Sequence, residues 1–317
     1  MITEFSPNPE GPVLAIGGAT LDIVGSPTDN LELGVSNPSQ IRTSYGGVAR
    51  NLSENLARLG HPVTLLSVVG DDDVGEDLLE QAGEAGVDVS AVITSSKAPT
   101  GTYMAVVDEN GKLQVALDDM RGISALTPEY IQAHVQLFKG ASMLFIDANL
   151  SKASLRKAIS LARRARIPIC ADPTAASLAH RFLQHLTKLN LFTPDSNEVS
   201  VLCDREIDPS DQEQALDAAK WLINQGVDIA IITRAQFGVC YATSETSGHI
   251  PSIRTKIVDP TGGGDAFTAA VVFGLLNEIP LDDAIRLGVS AATLTLHYAG
   301  AVVPDLSLEK LYDQLVI

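Results

Sequence analysis

The run Asp259-Pro-Thr-Gly-Gly-Gly-Asp265-Ala-Phe267 places two carboxylates around three consecutive glycines. Ala269 to Leu276, which follows, is apolar and reads as a helix; Arg254 to Val258, ahead of it, alternates weakly like the end of a strand. A glycine loop at a helix start aims free N–H groups and the positive end of the helix dipole at one point, which suits an anion, phosphate above all. Without a Cβ the backbone can be approached closely. Asp265 lies inside that pocket, where its charge opposes an anion. A general base explains it: Asp265 takes the proton of an attacking hydroxyl while the amides of Gly262, Gly263 and Gly264 stabilise a transferring phosphoryl group. The competing reading is a glycine turn with Asp265 placed for the dipole alone. The run has neither the Lys-Ser/Thr of a Walker loop nor the G-x-G-x-x-G spacing.

Other polar residues recur where strands end. Val13 to Ile16 reads as a buried strand, then Gly17-Gly18 and Asp22, which could accept hydrogen bonds from substrate hydroxyls or serve a turn. Gly46-Gly47 opens a second helix with Asn51 one turn inside and Leu52, Leu56 and Leu59 on its apolar face, ended by Gly60. Val63 to Val69 reads as one strand. Strands over Met143–Ile146, Ile167–Ala171, Leu189–Phe192 and Asp228–Ile232 are followed by Asp147 and Asn149, by Asp172, by Asp195 and Glu198, and by Thr233. In a parallel sheet ligands bind along that edge. Thr102–Val107 and Leu113–Leu117 flank Asp108-Glu-Asn-Gly111, a hairpin signal that interrupts the strand–helix alternation and reads as part of a small β appendage over the site.

Composition narrows the classes. The 317 residues, 45% apolar, suffice for one large α/β domain with an appendage. A formal charge of −17 argues against a nucleic-acid polymer as partner. Cys170, Cys203 and Cys240 are odd in number and lack metal-ligand spacing, which fits reduced thiols and a cytoplasmic location. No signal peptide and no bilayer-spanning run is visible, so no membrane partner is expected. Residues 1–11 read as a flexible N-terminal arm, and 12–305 as a single domain with a lid built from about 20–45 and 98–120.

Taken together, these residues resemble the ribokinase-like (PfkB) carbohydrate kinases. Asp259 to Asp265 is similar to that family's C-terminal signature Asp-Thr-x-Gly-Ala-Gly-Asp, and Gly46-Gly47-x-x-x-Asn51 to its N-terminal substrate motif. Ser36-Asn37-Pro38, the run from Gly46 to Gly60, Asp118-Asp119-Met120 and Asp147-Ala-Asn149-Leu150 resemble the pseudouridine kinase branch. The resemblance implies a doubly wound α/β sandwich with a small β lid, and ATP-dependent phosphorylation of the 5′-hydroxyl of pseudouridine or a related ribonucleoside. It implies Asp265 as the base and Gly262, Gly263 and Gly264 as the anion hole. Substrate would meet Asp22, Asn37, Gly46, Gly47, Asn51 and Asn149. ATP would lie near Asp195, Thr233, Gly238 and Thr261, Mg²⁺ near Glu198 through water, and a monovalent cation such as K⁺ near Asp259. A homodimer through the lid is also implied, an unpaired strand edge being a physical reason for it.

Three positions depart from the pattern. Asp195 replaces the Asn of Asn-x-x-Glu, Ala235 replaces the first Gly of the nucleotide motif, and Asp172-Pro-Thr-Ala-Ala-Ser-Leu178 lacks the Lys of pseudouridine kinases. The alternatives are therefore a kinase of a free sugar such as ribose, fructose or 2-keto-3-deoxygluconate, and a non-catalytic ligand-binding protein with a kinase fold. A nicotinamide-binding dehydrogenase is disfavoured, because Gly17-Gly18-Ala-Thr-Leu-Asp22 lacks the third glycine of its fingerprint.

Overall fold

The computed structural model describes residue 8 and residues 10–108 and 113–315. Most of the N-terminal arm and the tip of the 108–111 turn lie outside the described residues. The chain first lays down β1 (Val13–Ile16), β2 (Thr20–Pro27), β3 (Ser39–Gly46), α1 (Val48–Arg58), β4 (Val63–Leu66), β5 (Val68–Gly70), α2 (Asp73–Glu84), β6 (Ile93–Ser95), β7 (Gly101–Val107) and β8 (Leu113–Asp119). It continues through α3 (Pro128–Ala133), α4 (Val135–Gly140), β9 (Met143–Asp147), α5 (Lys152–Ala165), β10 (Ile169–Asp172), α6 (Ala176–Ala179), β11 (Leu191–Phe192), α7 (Ser196–Cys203), α8 (Gln212–Asn224) and β12 (Ile229–Thr233). It closes with β13 (Val239–Ala242), β14 (Ser247–Ile250), α9 (Gly263–Leu276), α10 (Leu281–Leu296) and α11 (Leu308–Leu315).

The main sheet runs β14-β13-β12-β11-β10-β9-β1-β4. Pairing is parallel from β4 to β12 and antiparallel at β13 and β14. Successive side chains of a strand point to opposite faces, and here both faces are buried. Leu14, Ile16, Leu144 and Ile146 join the core beneath α5 and α8, whereas Val13, Ala15, Met143 and Phe145 join the core beneath α1, α9 and α10. The strands therefore read as unbroken apolar runs. From β1 the chain passes to β4 on one side and later returns as β9 on the other, so the sheet switches direction between β1 and β9. That switch is where a doubly wound sheet opens a crevice for ligand.

The lid is a separate sheet, β3-β2-β7-β8. β2 pairs antiparallel with β3 and parallel with β7, and β7 pairs antiparallel with β8. Asp22, Val24, Tyr103, Ala105 and Arg42 share one face in register; Ile23, Ile41, Met104, Val115 and Leu117 share the other. Asp22 is buried and Leu117 is 65% exposed, so the polar-bearing face looks inward and an apolar face looks outward.

Two expected strands change. The stretch read as Val63–Val69 is β4 of the main sheet and β5 of a small sheet with β6. The break falls at Ser67, whose buried hydroxyl donates to the Gly17 carbonyl at 2.6 Å. Arg254–Val258 forms no strand. Its end is held instead at the C-terminus of α10, where Val258 N donates to the Leu296 carbonyl at 2.8 Å.

Candidate active site

α9 begins at the glycine run. Gly262 is its N-cap with φ 76°, and a Cβ there would fall 2.0 Å from the Ala301 carbonyl oxygen. A side chain is excluded by both conformation and space. No side chain caps this helix, so its first-turn N–H groups keep their donors. A Cβ on Gly264 would meet nothing within 4 Å, so open space lies over the backbone there. The rest of α9, Ala266 to Leu276, is buried all round, which fixes the helix and hence the position of its first turn.

Asp265 sits in that first turn and accepts a hydrogen bond from Asn51 Nδ2 at 2.7 Å. The two motifs of the sequence, 214 residues apart, thus meet at one carboxylate. Asn51 is itself oriented. Arg50 Nη1 donates to Asn51 Oδ1 at 3.2 Å and to the Tyr45 carbonyl at 3.1 Å. Arg50 Nη2 pairs with Glu54 and donates to Gln81 Oε1 at 2.7 Å. This buried arginine fixes which way the Asn51 amide faces. α1 enters the site through Gly47, φ 91°, where a Cβ would fall 2.5 Å from the Gly18 carbonyl oxygen. Gly46 crosses Asp22 so closely that a Cβ would fall 2.1 Å from Asp22 Oδ2.

Carboxylates converge on this edge. Thr20 Oγ1 donates to Asp22 Oδ1 at 2.8 Å. Asp147 is fully buried and accepts from Gly18 N at 2.7 Å and Asn149 N at 2.9 Å. Asp172 accepts from Thr174 N at 2.7 Å. Asp195 caps α7 in a reciprocal box, accepting from Glu198 N at 2.7 Å while Glu198 Oε2 accepts from Asp195 N at 2.7 Å. Burial pushes the Asp22 pKa up to about 6, against its Thr20 hydrogen bond and the nearby Arg50. Burial, then the Asp172 charge, pushes Asp265 well above the usual carboxylate range. Burial with Asp172 and Asp195 nearby does the same to Glu198. Such a set invites a cation. Among the described residues no three acidic, histidine or cysteine side chains are close enough to hold a metal directly.

The residues expected on the nucleotide side gather at the ends of β11 and β12. Asp195 bridges to Thr233, and Thr233 N donates to the Pro194 carbonyl at 3.0 Å. Gly238 has φ 79°, and a Cβ there would fall 2.2 Å from the Ile250 carbonyl oxygen. Ala235, the departure from the family pattern, has φ 48°. It adopts the left-handed backbone that explains a glycine at this place. Thr261 N donates to Asp259 Oδ1 at 3.0 Å. Asn149 lies beside Gly18 together with Met120, where the chain leaves the lid.

Among the described residues Asn37 makes its side-chain hydrogen bonds within its own loop and none to the other site residues. Its side chain closes its own loop, accepting from Glu32 N at 2.9 Å and donating to the Glu32 carbonyl at 2.9 Å. Two residues gain weight that the sequence did not give them. Arg50 orients Asn51, and Arg181 Nη1 donates to the carbonyls of Ala148 at 2.7 Å and Leu150 at 2.8 Å, bracing the turn that carries Asn149. Arg50 falls within the Gly46–Gly60 run but had no role of its own there, and Arg181 lies in no motif; the fold shows what each does.

A sheet edge with an uncapped glycine helix start, a half-buried carboxylate beside it and a lid above defines a phosphotransferase. The family model described as pfkB family carbohydrate kinase matches residues 12–307, and the chain belongs to that family of ATP-dependent sugar and nucleoside kinases. The chain is 30% identical over 297 residues to the pseudouridine kinase of Escherichia coli, covering 93% of this chain and 94% of that one. It is 28% identical over 297 residues to the guanosine-inosine kinase of Exiguobacterium acetylicum, covering 93% and 97%. Among solved structures it is similar to Arabidopsis thaliana ribokinase complexed with ribose and ATP, with TM-score 0.82 at 19% identity over 97% of this chain and 99% of that one. The doubly wound fold with its β lid is thereby that of the ribokinase-like kinases. No described helix is long and apolar enough to cross a membrane.

Proposed function

We propose that the protein phosphorylates the 5′-hydroxyl of pseudouridine or a related ribonucleoside, with Asp265 as general base. The observation that carries this reading is the Asn51–Asp265 hydrogen bond of 2.7 Å, which joins the substrate motif to the phosphate motif. Asp22, inward-facing and buried, accepts from two sugar hydroxyls, and Asn51 and Asn149 donate to others. Asp265 takes the proton of the attacking hydroxyl. The N–H groups at Gly262, Gly263 and Gly264 face the transferring phosphoryl oxygens. Bound Mg-ATP supplies the phosphoryl group and the divalent charge that offsets it. Thr233, Gly238, Thr261 and Asp195 line the nucleotide side, and Glu198, whose Oε2 is spent on the α7 cap, offers its other oxygen to metal-bound water.

A nucleoside is favoured over a free sugar by one feature of the lid. Tyr103 stands on the inner face as the register partner of Asp22, where an aromatic ring can cover a base. Tyr103 also packs against Val24, Ala105 and Val107 within the lid, while Tyr45, the other aromatic nearby, packs against Ala19, Val69 and Leu78 of the body. Two of the relatives carry nucleosides in their names. We place a homodimer contact on the outer lid face, where Ile41, Met104, Val115 and Leu117 are exposed together.

The test is ADP release with Mg-ATP against pseudouridine, uridine, adenosine, ribose and fructose in parallel. The expected result is turnover on pseudouridine above the rest. Turnover on a free sugar alone would replace the acceptor, and no turnover on any would leave a ligand-binding protein.

A further inference from the structure

One lid side chain holds the phosphate loop. Arg42 lies in β3 on the inner face, beside Val24 in register. Its Nη2 stands 3.4 Å from Asp259 Oδ1, and its Nη1 donates to the Val258 carbonyl at 3.4 Å, a contact across 216 residues of chain. Asp259 is 2% exposed. A carboxylate so buried needs a counter-charge, and among the described residues Arg42 is the one cation paired with it. Asp259 also accepts from Thr261 N, which turns the chain toward Gly262 and the uncapped start of α9. Arg42 Nε is buried with no partner. The guanidinium is thus held by the loop it meets rather than by its own strand.

We infer that Arg42 is a positioning residue that couples the lid to the anion hole: from β3 it supplies the counter-charge of Asp259, so the loop entering Gly262–Gly264 is set only while the lid lies against it. This rests on the reading of Gly262–Gly264 as the phosphoryl site. The chain carries its own cation to the carboxylate that the family resemblance assigns to K⁺. Added K⁺ therefore leaves the wild-type protein unchanged, and becomes necessary when the guanidinium is removed. The same contact makes the seating of the lid and the order of the loop one event.

The experiment compares wild type, Arg42→Lys and Arg42→Ala. Hydrogen exchange of the free proteins is read over 254–262 and 39–46, with the buried strand 143–147 as the check that the fold is intact. Arg42→Ala is expected to speed exchange in 254–262 about tenfold or more, Arg42→Lys less, and neither in 143–147. In K⁺-free buffer with Mg-ATP and pseudouridine, Arg42→Ala is expected to lose about 10- to 100-fold in kcat/KM. K⁺ or guanidinium restores part of that loss in Arg42→Ala and does nothing in wild type. Unchanged exchange in 254–262 would overturn the coupling whatever the kinetics, and so would wild-type activity as dependent on K⁺ as that of Arg42→Ala. If exchange responds as expected but no acceptor is phosphorylated even by wild type, the coupling stands and the kinase reading fails.

Discussion

The edge of the main sheet and the lid above it are built on opposite terms. At the edge, Asp147 and Asp265 are held by fixed donors on elements buried on every side. Burial has raised both pKa values before any ligand arrives, and for Asp265 the charge of Asp172 adds to it. The lid has little interior of its own. β8 is exposed along almost its whole length, and the small lid core of Val24, Ala105 and Val107 is supplemented by Tyr103. The lid is placed by contacts to the body: Arg50 to the Tyr45 carbonyl, Tyr45 to Asp77, Arg42 to Asp259. The edge therefore concentrates raised-pKa carboxylates at a cost in stability, and the lid rests on the body through a few polar contacts.

Breaking the edge has the largest expected effects. Asp265→Asn lowers kcat by about 10²- to 10⁴-fold and raises the melting temperature, because a desolvated carboxylate is removed from among like charges. Substrate binding is retained, and a calorimetric titration with pseudouridine checks it. Phe145→Ala, at a fully buried position beneath the edge, costs about 3–5 kcal/mol in urea unfolding. Asp22→Asn raises the acceptor KM about 10- to 100-fold through weakened hydrogen bonds to the sugar.

The raised carboxylates also set a pH dependence. Asp22 goes from an ordinary value of 3.8 to about 6 on folding, so its stabilisation is full below about pH 4 and lost as pH rises through 6. Asp265 acts in the same direction at higher pH. Melting temperatures of the ligand-free protein should fall from about pH 4 upward, and Mg²⁺ should reduce the fall. Activity runs the other way: kcat/KM rises with pH as the base deprotonates.

The smallest effects belong to the lid. Leu117→Lys, on the outer face, should change stability by less than about 0.5 kcal/mol. In the same variant the mass in solution should fall from dimer to monomer, as light scattering can read. A monomeric wild type at micromolar concentration would remove the dimer.

Much of the edge was legible in the sequence, because parallel strands buried on both faces are short apolar runs and the polar residues after them mark one end. Val13–Ile16 stands where the pattern put it, and Asp147, Asp172, Asp195 and Thr233 all follow or end their strands. The glycines at 46, 47 and 262 were legible for a different reason, since positive φ or close approach leaves no room for a side chain there, whereas Gly264 faces open space. The local pattern failed where the answer depends on distant partners. Arg254–Val258 alternates like a strand yet pairs with none, because the Leu296 carbonyl of α10 claims its last amides. Val63–Val69 looks continuous, and only the tie from Ser67 to Gly17 divides it between two sheets. Asn37 carries a polar side chain in a suggestive tripeptide, but its own loop consumes it. The pairing of Arg42 with Asp259 has no local signature at all.

The central claim is that Asn51 and Asp265 act as one unit in deprotonating the acceptor hydroxyl, and a double-mutant cycle tests it most directly. Rates of ADP release with Mg-ATP and pseudouridine would be measured for Asn51→Ala, Asp265→Asn and the pair. Residues that act together give a double variant scarcely slower than Asp265→Asn alone. Losses that simply multiply would show two independent roles and contradict the account.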